Sequence, residues 1–266
     1  MRRMRQAAAL GTTILLLAGC GSTAKVGSVS GPSKPVTTKA APSSLAGSGP
    51  RTTAGTARFT LSVVGVIGGV NVSAEENGTV SFVRRSAHIY KLVLGGGIPQ
   101  ELVVDGPITY TNADVEAALN DPSVKPWTKL DTRRLPAKQR SSESDELMHV
   151  RAPAYLVYGV KTARRLGATA ADGTTHFRGT VDLVRLAAQL PAADRADILA
   201  AVRRDYVDHP FPADFWVDAS GRVRRVHVSY RTPGGGRIVV NAAYSAFGTP
   251  VDLTVPPARE VQDITP

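Results

Sequence analysis

The sequence predicts an α+β domain in which an antiparallel sheet takes up most of the chain. Three observations support this class. Apolar and polar residues alternate with a period of two over several segments, residues that favour tight turns separate those segments, and few stretches have the spacing of an amphipathic helix. Consecutive hairpins joined to a small number of helices are typical of an α+β architecture.

Residues 1–19 have the pattern of a secretory signal peptide. Three arginines precede the apolar run Ala7–Leu17, which is shorter than the ~20 residues that a membrane-spanning helix needs. The run ends in Leu17-Ala18-Gly19-Cys20, and Cys20 is the only cysteine in the chain. We expect a lipobox, cleavage before Cys20 and acylation of its thiol, which would anchor the protein on the extracytoplasmic face of the membrane. The alternative is an ordinary signal peptide that happens to end at a cysteine.

Residues 20–51 are expected to form a tether. Gly21–Pro50 is dominated by Gly, Ser, Thr, Ala and Pro, and it contains three lysines but no acidic or aromatic residue. Such a composition buries too little apolar area to offset the entropy of ordering. A flexible chain of this length has a root-mean-square reach of about 30 Å. The folded domain is expected over residues 52–266.

The strand predictions follow the alternation along this domain. Five segments alternate, and their apolar positions are Phe59, Leu61 and Val63; Val80 and Phe82; Tyr90, Leu92 and Leu94; Val226, Val228 and Tyr230; and Ile238, Val240, Ala242 and Tyr244. Turns are predicted at Asn77-Gly78, at Asp218–Gly221 and at Pro233–Gly236.

Two helices are predicted. Pro191–Arg204 begins with proline and acidic residues and ends with arginines, as the helix dipole favours. A second helix is expected from Pro153 to Arg164, with Leu156, Val157 and Val160 facing inward. Shorter helical turns are possible at Ala113–Leu119 and Glu143–His149.

Charge and motif content argue against several function classes. The net charge is +10, but the arginines occur as dispersed pairs without interleaved aromatic residues, so nucleic-acid binding is not expected. The sequence has no nucleophile elbow, zinc-protease motif, phosphate loop or dinucleotide fingerprint. The five histidines are isolated, and Glu75-Glu76 is expected in a solvated loop. We therefore expect no enzymatic activity, no cofactor and no metal site.

Four passages in series carry a family resemblance. They are Asp105-Gly106 leading to Tyr110 and Lys125-Pro126-Trp127-Thr128-Lys129-Leu130, then Gly173–Asp182, then Phe215–Asp218 with Gly221–Val226, and last Tyr244–Val251 ending at Pro256. Their order and spacing resemble the superfamily of LolA-like periplasmic lipoprotein carriers, and more closely the LppX/LprG-type lipoproteins of actinobacteria. The chain departs from the family pattern at Ala246, where an acid is frequent, and in the charged stretch Asp131–Glu146.

The resemblance implies a strongly curved antiparallel sheet, an unclosed half-barrel, with helices covering its concave face. It also implies an apolar cavity between sheet and helices that binds an acyl chain, at roughly 0.8 kcal/mol per buried CH₂. Candidate lining residues are the apolar positions Val80, Phe82, Leu92, Leu94, Leu156, Tyr158, Ile238 and Val240, although each could equally pack the domain core.

Two functions remain open on the sequence. One is a lipid-anchored protein that binds, and carries, lipids or acylated molecules. The other is a non-catalytic envelope interaction or sensor module with a closed core, which binds a protein partner. An apolar cavity of several hundred Å³ would favour the first, and a filled concave face would favour the second. In either case we expect a monomer.

Overall fold

A computed structural model describes residues 44–67, 70–93, 99–112, 121, 124–136, 145–167, 170–203, 210–231 and 236–266. All of these belong to one compact unit, Lys39–Pro266. The predicted signal peptide, Cys20 and most of the predicted tether lie outside the described residues, as do Leu94, Ala113–Leu119 and residues 233–235 of the turn predicted at Pro233–Gly236. In the described residues, no helix is long and apolar enough to cross a membrane.

The architecture is a large, curved and unclosed sheet with a few helices, which confirms the sheet-dominated α+β class. The described strands are β1 Thr56–Ile67, β2 Val70–Ser81, β3 Ser86–Val93, β4 Gln100–Asp105, β5 Ile108–Asn112, β6 Trp127–Asp131, β7 Val160–Leu166, β8 Thr175–Val181, β9 Phe211–Val217, β10 Val223–Arg231, β11 Arg237–Ser245 and β12 Val261–Asp263. Their order across the sheet is β12-β6-β5-β4-β3-β2-β1-β11-β10-β9-β8-β7. Every pairing is antiparallel except the parallel pair β12–β6.

The predicted alternation divides the sheet into two faces. The inner face is the one that bears the buried apolar side chains. Phe59 of β1 lies opposite Tyr244 of β11, and Ala242 lies opposite Val226 of β10, so their side chains form one continuous apolar surface. The outer face carries the intervening residues. The turn predicted at Asp218–Gly221 is confirmed, because Asp218 Oδ1 accepts hydrogen bonds from the backbone of Ser220 and Arg222 while Gly221 has a φ of 78°.

The turn predicted at Asn77-Gly78 is wrong. Both residues lie inside β2, where Gly78 pairs with Phe59 on one side and with Ile89 on the other. A Cβ on Gly78 would collide with the carbonyl oxygen of His88, so glycine serves here for close strand approach rather than for reversal. The chain turns four residues later, between Phe82 and Arg85, and Arg85 takes a φ of 53°.

Four helices are described: α1 Ser48–Thr53, α2 Asp145–Tyr155, α3 Leu183–Gln189 and α4 Ala192–Arg203. Helix α4 confirms the helix predicted after Pro191. Helix α1 shows that ordered structure begins before residue 52. It is held to the sheet by Thr52, whose hydroxyl donates to the Ser48 carbonyl and accepts from the backbone N–H of Val223 at 2.8 Å.

The helix predicted from Pro153 to Arg164 is wrong. Helix α2 ends at Tyr155 and covers only the first three residues of that segment, a 3₁₀ turn spans Leu156–Gly159, and β7 begins at Val160. Pro153 sits inside α2, where it removes a backbone donor. The next backbone pair of the helix, the Ala154 N–H and the Val150 carbonyl, is bridged by the Tyr244 hydroxyl. This hydroxyl accepts from the Ala154 N–H and donates to the Val150 carbonyl at 2.9 Å.

The inner face is packed against the helices by one buried cluster drawn from both. Its fully buried members include Phe177 and Phe215 from the sheet, Val150 from α2 and Leu186 from α3. The helices also contain a buried ion pair, in which the two terminal nitrogens of the Arg151 guanidinium, Nη1 and Nη2, donate to the Asp194 carboxylate of α4 at 2.9 and 3.0 Å. Arg151 also donates to the Phe82 carbonyl, so the pair ties α2, α4 and the β2–β3 hairpin together.

Candidate functional site

The predicted lining residues divide into buried core positions and exposed positions. Val80, Phe82, Leu156 and Ile238 are all buried, at 0, 4, 8 and 3% exposure. Tyr158 and Val240 are half-buried and pack against the core cluster, to which Val80, Phe82 and Leu156 belong. The Tyr158 ring lies against Gly49 of α1, and its hydroxyl bonds that of Thr53 at 2.8 Å.

Leu92 is placed apart from the others. It is 38% exposed and lies on the outer face, opposite Glu75 of β2. The alternation predicts that Leu92 and Tyr90 share a face of β3, and the structure places both on one face. That face is the outer one, and the helices pack against the other. The sequence could not choose between the faces of β3, because apolar residues occupy both.

The outer face carries an open trough that crosses the strands. One hollow of about 500 Å³ lies over β9, β10, β11, β1 and β2, and a second of about 340 Å³ lies over β2, β3, β4 and β5. Glu75 and Asn77 line both hollows, so the two hollows adjoin, and together they are named the trough. The outer-face side chains that line it are Trp216, Arg225, His227, Asn241, Thr60, Ser62, Glu75, Asn77, Tyr90, Leu92, Glu101 and Asn112.

One end of the trough is built around Trp216. The His176 ring stacks on the Trp216 ring with 4.4 Å between centroids and 6° between planes, and the Arg225 guanidinium lies 5.1 Å from the same ring. These contacts follow from the register, since β8 and β10 flank β9. The indole is therefore held in one orientation by its cross-strand neighbours.

Asp214 fixes the groups beside this tryptophan. Its carboxylate accepts from His176 Nε2 at 2.8 Å and from two nitrogens of Arg178 at 3.0 and 2.9 Å. Burial raises the pKa of Asp214, but the hydrogen bonds from Arg178 and His176 outweigh it, so the pKa lies below its usual value. The carboxylate is thus kept ionised and bound within the sheet surface.

The other end of the trough is built around Tyr90. The His88 ring lies 4.8 Å from the Tyr90 ring, and His88 Nε2 bonds Glu101 Oε1 at 2.7 Å. Desolvation and the neighbouring Glu101 carboxylate raise the pKa of Tyr90. Tyr90 is nonetheless 47% exposed, so its ring is available to a partner that lies along the trough.

The glutamate pair predicted in a solvated loop lies inside β2 instead. Glu75 faces the trough, whereas Glu76 is on the inner face at 3% exposure, 3.8 Å from the ammonium group of Lys91. Sequence analysis missed the trough residues because polar residues on a strand also suit a plain solvated face. The signal it overlooked is that Trp216, His176, Arg225 and Tyr90 all fall on outer-face positions.

The described residues contain no group of three or more His, Cys, Asp or Glu side chains that could hold a metal ion. What the trough offers is aromatic edges, guanidinium groups, amides and carboxylates on a rigid sheet. These groups suit recognition of another molecule.

Comparison with known proteins yields structural similarities alone. No family model matches the sequence, and no curated protein matches it. Among solved structures, the chain is similar to MucB in complex with periplasmic MucA, with 15% identity, 81% of this chain and 58% of that chain covered, and a TM-score of 0.29. It is similar to MucB alone at 14% identity, with coverages of 80% and 57% and a TM-score of 0.30.

A third similar structure is an uncharacterised conserved protein from Thermus thermophilus, with 10% identity, coverages of 77% and 90%, and a TM-score of 0.32. The chain therefore spans somewhat more than half the length of the MucB chains. At these scores and identities the similarities assign neither a family nor a function to this chain.

Proposed function

We propose that this protein is a non-catalytic binding module, tethered to the outer side of the cytoplasmic membrane through acylated Cys20, and that its outer-face trough binds a protein partner. One observation carries the proposal. Among the described residues, buried side chains of the inner face and of the helices form one packed cluster, while aromatic and charged side chains line an open trough on the other face.

The inner face argues against a permanently open acyl cavity. Phe82 packs against the rings of Tyr155 and Tyr244, with centroids 6.1 and 5.8 Å apart. Arg151 of α2 and Asp194 of α4 form an ion pair in which each side chain is 1% exposed. Lifting α2 to admit an acyl chain would separate these buried charges, and breaking such a pair costs about 3–5 kcal/mol.

The trough has the composition of a protein-binding surface. Tryptophan, tyrosine and arginine dominate the binding energy of most protein interfaces, and Trp216, Tyr90 and Arg225 all lie in this trough. Their neighbours on adjacent strands hold Trp216 and Tyr90 in place before any partner arrives. Preorganisation of this kind lowers the entropy cost of binding.

Site-specific photo-crosslinking in cells tests the proposal. A photoreactive amino acid at Ser62, inside the trough, is expected to crosslink one envelope protein. The control position is Val184 on α3, which is 53% exposed on another surface. Trp216→Ala and Arg225→Ala are each expected to reduce the Ser62 crosslink at least tenfold. The same product from Val184, or a Ser62 product that survives both substitutions, would contradict the proposal.

Acyl-chain binding is the second candidate, and one observation favours it. Val63, Tyr230, Leu199 and Val240 are half-buried and pack at the border of the core, so a chain could enter there if the helices moved. Native mass spectrometry and lipid extraction separate the two candidates. The protein-binding proposal predicts no stoichiometric lipid, whereas one bound lipid per chain, lost on Val240→Trp, would establish the second candidate instead.

A further inference from the structure

We infer that the end of the sheet that carries Arg231 and Arg237 docks onto the surface of an anionic lipid bilayer. The two arginines lie directly opposite each other, Arg231 at the last residue of β10 and Arg237 at the first residue of β11, and both are exposed. Like charges at opposed positions destabilise a strand pair. A partner of opposite charge would offset that cost.

The arginines border a hollow large enough for a phosphate group. It measures about 590 Å³ and is lined by Ser229, Tyr230 and Gly236 as well as by the two arginines. Arg237 Nε donates to Ser229 Oγ at 2.6 Å, which orients one guanidinium along the outer face. Guanidinium groups bind phosphate oxygens through paired hydrogen bonds.

Exposed apolar side chains lie at the same end of the sheet as this basic hollow. The Arg237 carbonyl lies against Gly65 of β1, so the end of β1 is the immediate neighbour of the arginines. Val64 is 49% exposed and Val70, at the start of β2, is 65% exposed. Arginines and exposed valines at one end of the sheet match a membrane interface, where phosphates lie just above the hydrocarbon.

The charge distribution of this region favours an anionic surface. Strands β10, β11, β1 and β2 contain two acidic residues, Glu75 and Glu76, and both lie in the middle of β2 rather than at this end. The end of the sheet that carries Arg231 and Arg237 is therefore basic and apolar, and none of these four strands places a carboxylate there.

The proposed anchor permits this orientation. Helix α1 is bonded to Val223 at the beginning of β10, the opposite end of the strand from Arg231. The domain would have to turn back by the length of β10, about 30 Å, to set Arg231 on the membrane. The residues between Cys20 and Ser44 can span at most about 80 Å, which is ample.

Vesicle co-sedimentation of the compact unit Lys39–Pro266, which contains its own core, tests the inference without the acyl anchor. Vesicles of phosphatidylcholine alone are compared with vesicles that also contain phosphatidylglycerol. We expect binding to the second kind only, weakened by added salt. The double variant R231Q/R237Q is expected to lose about 30-fold in affinity. Val64→Ser with Val70→Ser is expected to weaken binding as well.

The matched control removes two charges elsewhere. Arg164 on β7 and Arg259 near the C-terminus are exposed, and R164Q/R259Q is expected to retain binding. An equal loss in this control, or full competition by inorganic phosphate at constant ionic strength, would overturn the inference. Failure of wild type to bind anionic vesicles would also overturn it.

The test is separate from that of the proposed function. Trp216→Ala, which is expected to reduce the protein crosslink at least tenfold, should leave vesicle binding unchanged. Conversely, R231Q/R237Q should leave the chemistry of the trough unchanged, because neither arginine lines it. Circular dichroism and thermal unfolding of each variant check that the fold is intact.

Discussion

Asp194 is a residue on which several buried polar contacts converge. It is 1% exposed and accepts hydrogen bonds from Arg151, from Arg85 at 2.6 Å and from the Tyr155 hydroxyl at 3.1 Å. Burial raises the pKa of Tyr155 above its usual value. The hydroxyl therefore stays protonated and remains a hydrogen-bond donor. Two helices and one hairpin thus depend on a single carboxylate.

Asp194→Ala is expected to lower the free energy of unfolding by about 3–5 kcal/mol, because it leaves the Arg151 charge buried without its partner. Urea unfolding followed by circular dichroism measures the effect. Arg259→Ala serves as the control, since Arg259 is 84% exposed and its loss should change stability by no more than about 0.5 kcal/mol. Equal stability of the two variants would show that the buried network is not what secures the helices.

The Asp214 carboxylate makes the free energy of unfolding depend on pH, with a defined sign. Its pKa is below the unfolded value of about 3.9, so its stabilising contribution is complete above that value and is lost as pH falls through the folded pKa. We expect the difference in unfolding free energy between wild type and Asp214→Asn to be constant at neutral pH and to shrink below about pH 4. In an Arg178→Gln background the loss should begin at a higher pH. A difference that does not change down to about pH 3 would contradict this account.

At the scale of elements, β2 depends on Gly78 and α2 depends on Tyr244. Gly78 has a φ of 155° and lies at a point where β3 approaches too closely for a side chain. The Tyr244 hydroxyl restores the backbone bonding that the proline in α2 disturbs, and burial raises its pKa so that it remains a donor. Both devices join parts of the chain that are distant in sequence.

Gly78→Ala is expected to destabilise the protein by about 1–3 kcal/mol or more, because the added Cβ collides with the His88 carbonyl and strains the backbone. Thermal unfolding measures the change. Gly55→Ala is the matched control, since nothing lies within 4 Å of a Cβ at Gly55. Similar melting temperatures for the two variants would mean that β2 and β3 can move apart at Gly78 with no loss of stability, and would contradict this prediction.

At the scale of the whole molecule, the two sheet faces have different roles. The inner face holds the domain together, the outer face offers the trough, and one end of the sheet carries the basic hollow. The proposed anchor at Cys20 would keep all three within reach of the membrane. The proposed partner-binding trough and the proposed membrane-docking hollow have no lining residue in common.

Cys20→Ser is expected to abolish acylation and, with it, the membrane-embedded form of the protein. Detergent phase partitioning with metabolic labelling by a palmitate analogue measures this directly. Wild type should carry label and enter the detergent phase, whereas the variant should carry none. Label that persists in the variant would refute acylation at this residue. Because Lys39–Pro266 lacks Cys20, its vesicle binding tests the docking inference independently of acylation.

The sequence by itself determined the strand alternation, the turn at Asp218–Gly221 and helix α4, because short-range patterns of burial and turn chemistry specify each of them. Only the tertiary structure decided that Asn77-Gly78 continues a strand, that the segment after Pro153 turns into β7, and that Leu92 faces outward. Each of those outcomes depends on which strands and helices pack against the segment. These partners are distant in the chain, so a local sequence pattern does not identify them. The same limit applies to the trough, whose residues come from eight strands and meet only when the sheet is assembled.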